Sequence, residues 1–240
     1  MSQEASPQHV AIIMDGNSRW ARDRLLPRVM GHKAGIESIR RVAEAADQRG
    51  VRVLTLYAFS TENWSRPREE VDALMGLFSE TIRREVDELA RRGIELRFSG
   101  RVHELSPALQ EQMRQASERT RVSARAILNI AINYGGRIEI LDAIRELAKE
   151  GADLTTLDEA TLAAHLYTRG LPDPDLVIRT AGEMRLSNFL LWQTAYSEFY
   201  STPTLWPDFG GADFDEALAS YQRRVRRFGA RPEEVSNRGR

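Results

Sequence analysis

Asp15, Ser60, Asn63 and a scattered group of arginines are the residues whose types and positions suit work on an anionic substrate. Asp15 ends the apolar run Val10 to Met14 and is followed by Gly16-Asn17, a strand-to-helix junction of the kind where free backbone N–H groups favour a phosphate. A carboxylate there can hold a divalent cation against that phosphate, although Asp-Gly-Asn is also ordinary turn chemistry. Arg19, Arg28, Arg66, Arg179 and Arg185 lie in or beside loops that follow apolar runs. A planar guanidinium grips phosphate oxygens in paired hydrogen bonds. A lone arginine is ordinarily a solvated surface residue, so the signal is five of them in loops on one sheet edge. His32, beside Gly31, either meets a phosphate or caps a helix. The four histidines have no short ligand spacing, which argues against zinc. Asp15 and Glu198 are the candidates for a hard cation such as Mg²⁺. There is no Gly-rich dinucleotide fingerprint, Walker loop or Gly-x-Ser-x-Gly elbow.

The elements that must position these groups alternate in type. Val10 to Met14, Val51 to Phe59, Ile94 to Phe98, Ala126 to Ile132, Leu176 to Ile178 and Glu198 to Thr202 read as strands, the first two as continuous apolar runs suited to burial on both faces. Helical spacing runs through Ile36, Ile39, Val42, Ala43 and Ala46, with Gly31-His-Lys-Ala-Gly35 leading into it. It recurs over Arg68 to Arg92, Pro107 to about Val122, Arg137 to Glu150, Asp158 to Tyr167 and Phe214 to Phe228. This alternation predicts a single α/β domain with a mainly parallel sheet and helices on both faces, its polar loops sharing one edge.

The chain has 240 residues with 34 Lys plus Arg against 35 Asp plus Glu, so no global positive charge points to nucleic acid and any anion site is local. It contains no Cys, which removes disulfides and thiolate chemistry and fits a reducing compartment. No apolar run approaches the roughly 18 residues of a membrane span, and the polar start is unlike a signal peptide, so a cytoplasmic protein is expected.

Six segments together resemble the cis-prenyltransferases of the bacterial undecaprenyl diphosphate synthase type: His9 to Trp20, Gly31 to Gly35, Leu54 to Pro67, Asn129 to Arg137, Asp175 to Trp192 and Leu205 to Phe209. The resemblance spans residues 1–240 as one catalytic domain. It implies a six-stranded sheet ringed by helices, a hydrophobic tunnel, a homodimer, and condensation of isopentenyl diphosphate onto farnesyl diphosphate with Mg²⁺. It further implies peripheral membrane contact at product release. Asp15 is similar to the family's essential carboxylate and Glu198 to a second, metal-linked acid. Gly16, Asn17, Arg19, Trp20, Arg28, His32, Trp64 and Arg66 resemble the allylic diphosphate group. Arg179, Arg185 and Ser187 resemble the isopentenyl diphosphate site, to which Arg227 and Gly229 of the other subunit contribute, and Ser60 and Asn63 the loop near the condensing carbons. Ala58, Leu74, Phe78, Ile82, Val86 and Ala126 are the expected tunnel wall. Ser18 departs from the family's usual Gly. A phosphoaspartate hydrolase would need more acids at the other strand ends. A lipid-carrier-binding or regulatory member without its own elongation activity is the remaining alternative, opposed by the joint presence of Asp15, Arg179 and Arg185.

Overall fold

The computed structural model describes residues 6–122 and 124–224. Six strands form one sheet: β1 His9–Ile13, β2 Val53–Ser60, β3 Ile94–Ser99, β4 Ala126–Tyr134, β5 Leu176–Arg179 and β6 Glu198–Ser201. Their spatial order is β3-β4-β2-β1-β5-β6, and every pairing is parallel. Parallel neighbours require crossovers. These carry α1 Asn17–Asp23, α2 Arg28–Gln48, α3 Arg68–Arg91, α4 Pro107–Arg121, α5 Gly136–Lys149 and α6 Glu159–Ala163, with α7 Gly211–Gln222 after the last strand. Burial on both faces explains the unbroken apolar runs. Val10 and Ile12 join one core with Val42, Ile82 and Phe214, whereas Ala11 and Ile13 join the opposite one with Val177 and Phe189.

At the amino-terminal edge, the His9 ring is 1% exposed; its Nδ1 lies 2.7 Å from the Pro172 carbonyl and its Nε2 2.7 Å from Thr55 Oγ1. The carbonyl can only accept, so Nδ1–H donates to it and Nε2 accepts from the hydroxyl. Burial pushes His9 down to about 4 and keeps it neutral.

The boundaries of three helices differ from the sequence expectation. α2 begins at Arg28, so Gly31 and Gly35 lie inside it. Both are needed for packing: a Cβ at Gly31 would lie 2.0 Å from the Asn17 carbonyl oxygen, and one at Gly35 would lie 2.6 Å from Asn17 Oδ1. His32 is therefore inside the helix and is not its cap. α6 stops at Ala163 rather than reaching Tyr167. Asp158 caps it through Thr161 N at 2.8 Å, but the Tyr167 N–H is taken by buried Glu139 at 2.9 Å, away from a helical partner. The last helix, expected over Phe214 to Phe228, instead runs Gly211–Gln222 with Arg223 closing it, and Arg227 and Gly229 lie outside the described residues.

Candidate active site

The sheet order reverses between β1 and β5, and in open parallel sheets ligands bind beyond the carboxyl ends of the strands at such a switch point. Asp15 follows β1 and Arg179 ends β5, so the two meet there: Arg179 Nη2 is 2.9 Å from Asp15 Oδ2. Asp15 is held from several sides. Its Oδ1 accepts from Gly16 N at 2.7 Å, its N–H donates to Thr180 Oγ1 at 2.8 Å, and its carbonyl accepts from Trp206 N at 3.0 Å. Gly16 has φ +102°, and a Cβ there would approach Leu205 Cδ2 to 2.9 Å, so the turn requires glycine.

Arg179 is buried and also donates to Ser187 Oγ at 2.7 Å and to the Arg185 carbonyl. Arg19 donates to the Ala181 carbonyl at 3.1 Å and lies 3.7 Å from Glu183. Glu70 bridges two arginines, Arg66 at 3.2 Å and Arg28 at 3.3 Å, which ties the start of α3 to the start of α2. Ser60 N donates to Asn63 Oδ1 at 3.1 Å, closing the turn Thr61–Ser65 that follows β2. Burial lowers His32 to about 4; Arg66 lowers it further and Glu70 opposes.

These groups ring one end of a cavity of about 1230 Å³. Asp15, Gly16, Asn17, Arg19, His32, Ser60, Asn63, Arg66, Arg179 and Ser187 line its polar end. Beyond them it runs between α2, α3 and the sheet along Ala58, Leu74, Phe78, Ile82, Leu96 and Ile130, and it ends among Glu44, Glu88 and Arg92. Ala58 sits at a register irregularity of β2 that leaves its small side chain facing the open space. Three buried polar atoms at the polar end have no hydrogen-bond partner within the protein: Asn17 Oδ1, His32 Nε2 and Arg179 Nε.

Several expected residues are not on the wall. Trp20 donates through Nε1 to Asp208 at 2.7 Å, and Trp64 does the same to Asn133 Oδ1 at 2.7 Å, so both indoles pin loops one layer out. Arg28 is exposed and paired with Glu70, and Arg185 is exposed and paired with Glu183. Val86 and Ala126 also lie off the cavity wall. Glu198 lies apart from Asp15 within the protomer. It opens β6 level with Leu176 and hence with Val10, at the opposite edge of the sheet, and it pairs with Arg224 at 2.7 Å. Five residues of strand rise separate Val10 from Asp15, roughly 16 Å along the sheet, so one protomer does not bring the two carboxylates together. Among the described residues no group of three or more His, Cys, Asp or Glu converges on a metal position. A single carboxylate such as Asp15 still fits Mg²⁺, which is commonly held by one or two carboxylates with water and substrate phosphate oxygens.

Sequence reading missed Thr180, Glu62, Glu70, Glu183 and Asn188. Thr180 was detectable as the residue after Arg179 at a strand end; the others contribute contacts that only the fold brings together.

At its switch point the all-parallel sheet thus presents an arginine-bearing polar pocket that opens into a largely apolar cavity. Residues 13–229 match the model of the family described as "Putative undecaprenyl diphosphate synthase". An isoprenyl transferase of Heliobacterium mobile is 49% identical, covering 93% of this chain and 87% of its own. A ditrans,polycis-undecaprenyl-diphosphate synthase of Legionella pneumophila, specific for (2E,6E)-farnesyl diphosphate, is 48% identical over 93% of this chain and 95% of its own. Among solved structures, lavandulyl diphosphate synthase from Lavandula x intermedia, in complex with dimethylallyl diphosphate, superposes with a TM-score of 0.89 at 40% identity over 93% of this chain and 98% of its own. A probable undecaprenyl diphosphate synthase from Campylobacter jejuni gives 0.79 at 30% identity over 94% and 99%. The chain belongs to the undecaprenyl diphosphate synthase family of prenyltransferases. No helix among its described residues is long and apolar enough to cross a membrane.

Proposed function

We propose that this chain adds successive isopentenyl diphosphate units, with cis geometry, to farnesyl diphosphate and so makes undecaprenyl diphosphate. The observation that carries this reading is the junction within one cavity of unpartnered polar atoms and a long apolar wall. A buried polar atom without a partner costs about 1–3 kcal/mol, so three at one end mark a place for a polar ligand. The whole cavity, about 1230 Å³, exceeds what a drug-sized ligand needs, roughly 300–1,000 Å³, and its apolar end suits a growing hydrocarbon.

In each cycle the allylic C1–O bond breaks, C1 bonds to C4 of isopentenyl diphosphate, and a proton leaves C2 of that unit. Asn17, Arg19, His32 and Arg66 receive the allylic diphosphate, and Arg179 with Ser187 receives the isopentenyl diphosphate beside it. Arg28, Trp20 and Trp64 act from behind that layer by fixing its loops, and Arg185 reaches in from the exposed rim. Asp15 would hold Mg²⁺, whose contribution when bound would be neutralisation of charge on the departing diphosphate. The Arg179 pairing fixes one Asp15 oxygen, which leaves lone pairs of the carboxylate for that ion. Ser60 and Asn63, at the end of β2, hold the turn nearest the condensing carbons and assist removal of the proton. The apolar wall takes up the lengthening chain, its burial worth about 25 cal/mol per Å². The enzyme works as a homodimer in which Arg227 and Gly229 complete the isopentenyl site of the other subunit. It is cytoplasmic and meets the membrane peripherally as product leaves.

Transfer of radiolabel from isopentenyl diphosphate into solvent-extractable product tests this reading. Incorporation that requires both farnesyl diphosphate and Mg²⁺ supports it; a chain that binds polyprenyl diphosphate without incorporating label would be a carrier-binding member.

A further inference from the structure

Ser187, Asn188 and Leu190 all have positive φ, at 48°, 64° and 46°, a conformation that side chains other than glycine's adopt at a cost and keep only where their surroundings hold them. What holds this stretch is Asn188. Its Nδ2 donates to Glu62 Oε1 at 2.8 Å, its Oδ1 accepts from Arg137 N at 2.9 Å, and its carbonyl accepts from Gly136 N at 2.7 Å. One side chain thus joins three loops that follow three strands: the Arg179–Ser187 loop, the turn after β2 that carries Ser60 and Asn63, and the start of α5. The approach is tight, since a Cβ at Gly135 would come within 2.8 Å of Asn188 Nδ2. Ser187, next in the chain, takes its hydrogen bond from Arg179. The Glu62 carboxyl stays below its ordinary range, burial pushing it up and the Asn188 amide with neighbouring donors outweighing that.

We infer that Asn188 is a positioning residue, a latch that sets Ser187 and the Arg179 guanidinium at a fixed place relative to the Ser60–Asn63 turn. It lies on the cavity wall beside Ser187 and acts by holding the loops in place. Its amide spans the two loops that must present isopentenyl diphosphate to the allylic carbon, and this role rests on the elongation reading above. Asn188→Asp sets a carboxylate against Glu62. The double change Glu62→Gln/Asn188→Asp restores the bond with its polarity reversed: the new glutamine donates, and the second aspartate oxygen still accepts from Arg137 N.

Steady-state kinetics with each substrate varied in turn, with melting curves for every variant, tests the latch. Asn188→Asp and Asn188→Ala raise KM for isopentenyl diphosphate about tenfold or more and leave KM for farnesyl diphosphate within about threefold; the double variant recovers most of the loss. A double variant no better than Asn188→Asp, or equal KM changes for both substrates, would overturn the proposal. Amide hydrogen exchange gives a readout that holds even if the native chain does not elongate. In Asn188→Ala the Arg137 amide, which loses its side-chain acceptor, exchanges faster while the core strands are unchanged; unchanged protection there also refutes the latch.

Discussion

Arg179→Lys separates binding geometry from charge. The native guanidinium is almost fully buried and spends its donors on Asp15 Oδ2 at 2.9 Å, Ser187 Oγ at 2.7 Å and the Arg185 carbonyl, with Nε left for a ligand. A lysine keeps the charge but concentrates it in one ammonium, which cannot reproduce a fork that meets three groups and a ligand at once. Losing the charge-assisted bond that Nε offers the ligand, worth about 1.5–3 kcal/mol, lowers kcat/KM for isopentenyl diphosphate roughly 10- to 150-fold. Because a positive charge still faces Asp15, the fold avoids the 3–5 kcal/mol or so that stripping a buried partner costs, and Tm falls by only a few degrees. Arg179→Ala does incur that cost. Arg185→Ala removes an exposed pair with Glu183, so Tm holds while isopentenyl diphosphate binding weakens. Calorimetry and initial rates at saturating farnesyl diphosphate read both quantities. A lysine variant with kcat/KM for isopentenyl diphosphate within about threefold of native, or with equal losses for both substrates, would refute this assignment of Arg179.

Asp15→Ala abolishes turnover and keeps the folded circular dichroism spectrum at a lowered Tm, because buried Arg179 loses its carboxylate; mixing it with Arg227→Ala chains restores part of the activity if subunits share sites, and no recovery after exchange counts against sharing. Stability falls as pH drops from about 6.5 to about 4, since unfolded chains protonate His9 and His32 while burial holds both near 4 in the folded state. For His9 the full loss is roughly 3 kcal/mol, and a flatter urea-melt profile over that window in His9→Gln checks it. Ala58→Leu yields shorter products at a similar first-condensation rate, as seen by chromatography of the dephosphorylated alcohols, because the side chain narrows the cavity beyond the polar end; an unchanged distribution means this strand does not limit length.

Apolar runs covered on both faces make the strands legible in the sequence, and the polar loops after each run mark the site edge. Placement of Glu198 was not legible, because parallel register alone decides whether the first residue of a short strand lies beside Asp15 or at the far edge. The α3 stripe shows a second limit. Leu74, Phe78, Ile82 and Val86 are spaced by four, which overshoots a 3.6-residue turn by about 40° each step, so the series drifts off the wall. Leu89, seven past Ile82, returns to it. Ala126 shares its sheet face with Leu128 and Ile130 but is not part of the cavity wall, which at that level is formed by its neighbour Ile94. The motifs around the two indoles suggest ligand groups, whereas their N–H partners, Asp208 and Asn133, are distant in sequence and meet them only on folding.

Mass spectrometry of the products formed from farnesyl diphosphate, isopentenyl diphosphate and Mg²⁺ tests the central claim most directly. The account predicts a ladder of intermediates converging on undecaprenyl diphosphate, with the added double bonds cis; a single condensation, a branched short-chain diphosphate or no extension would contradict it.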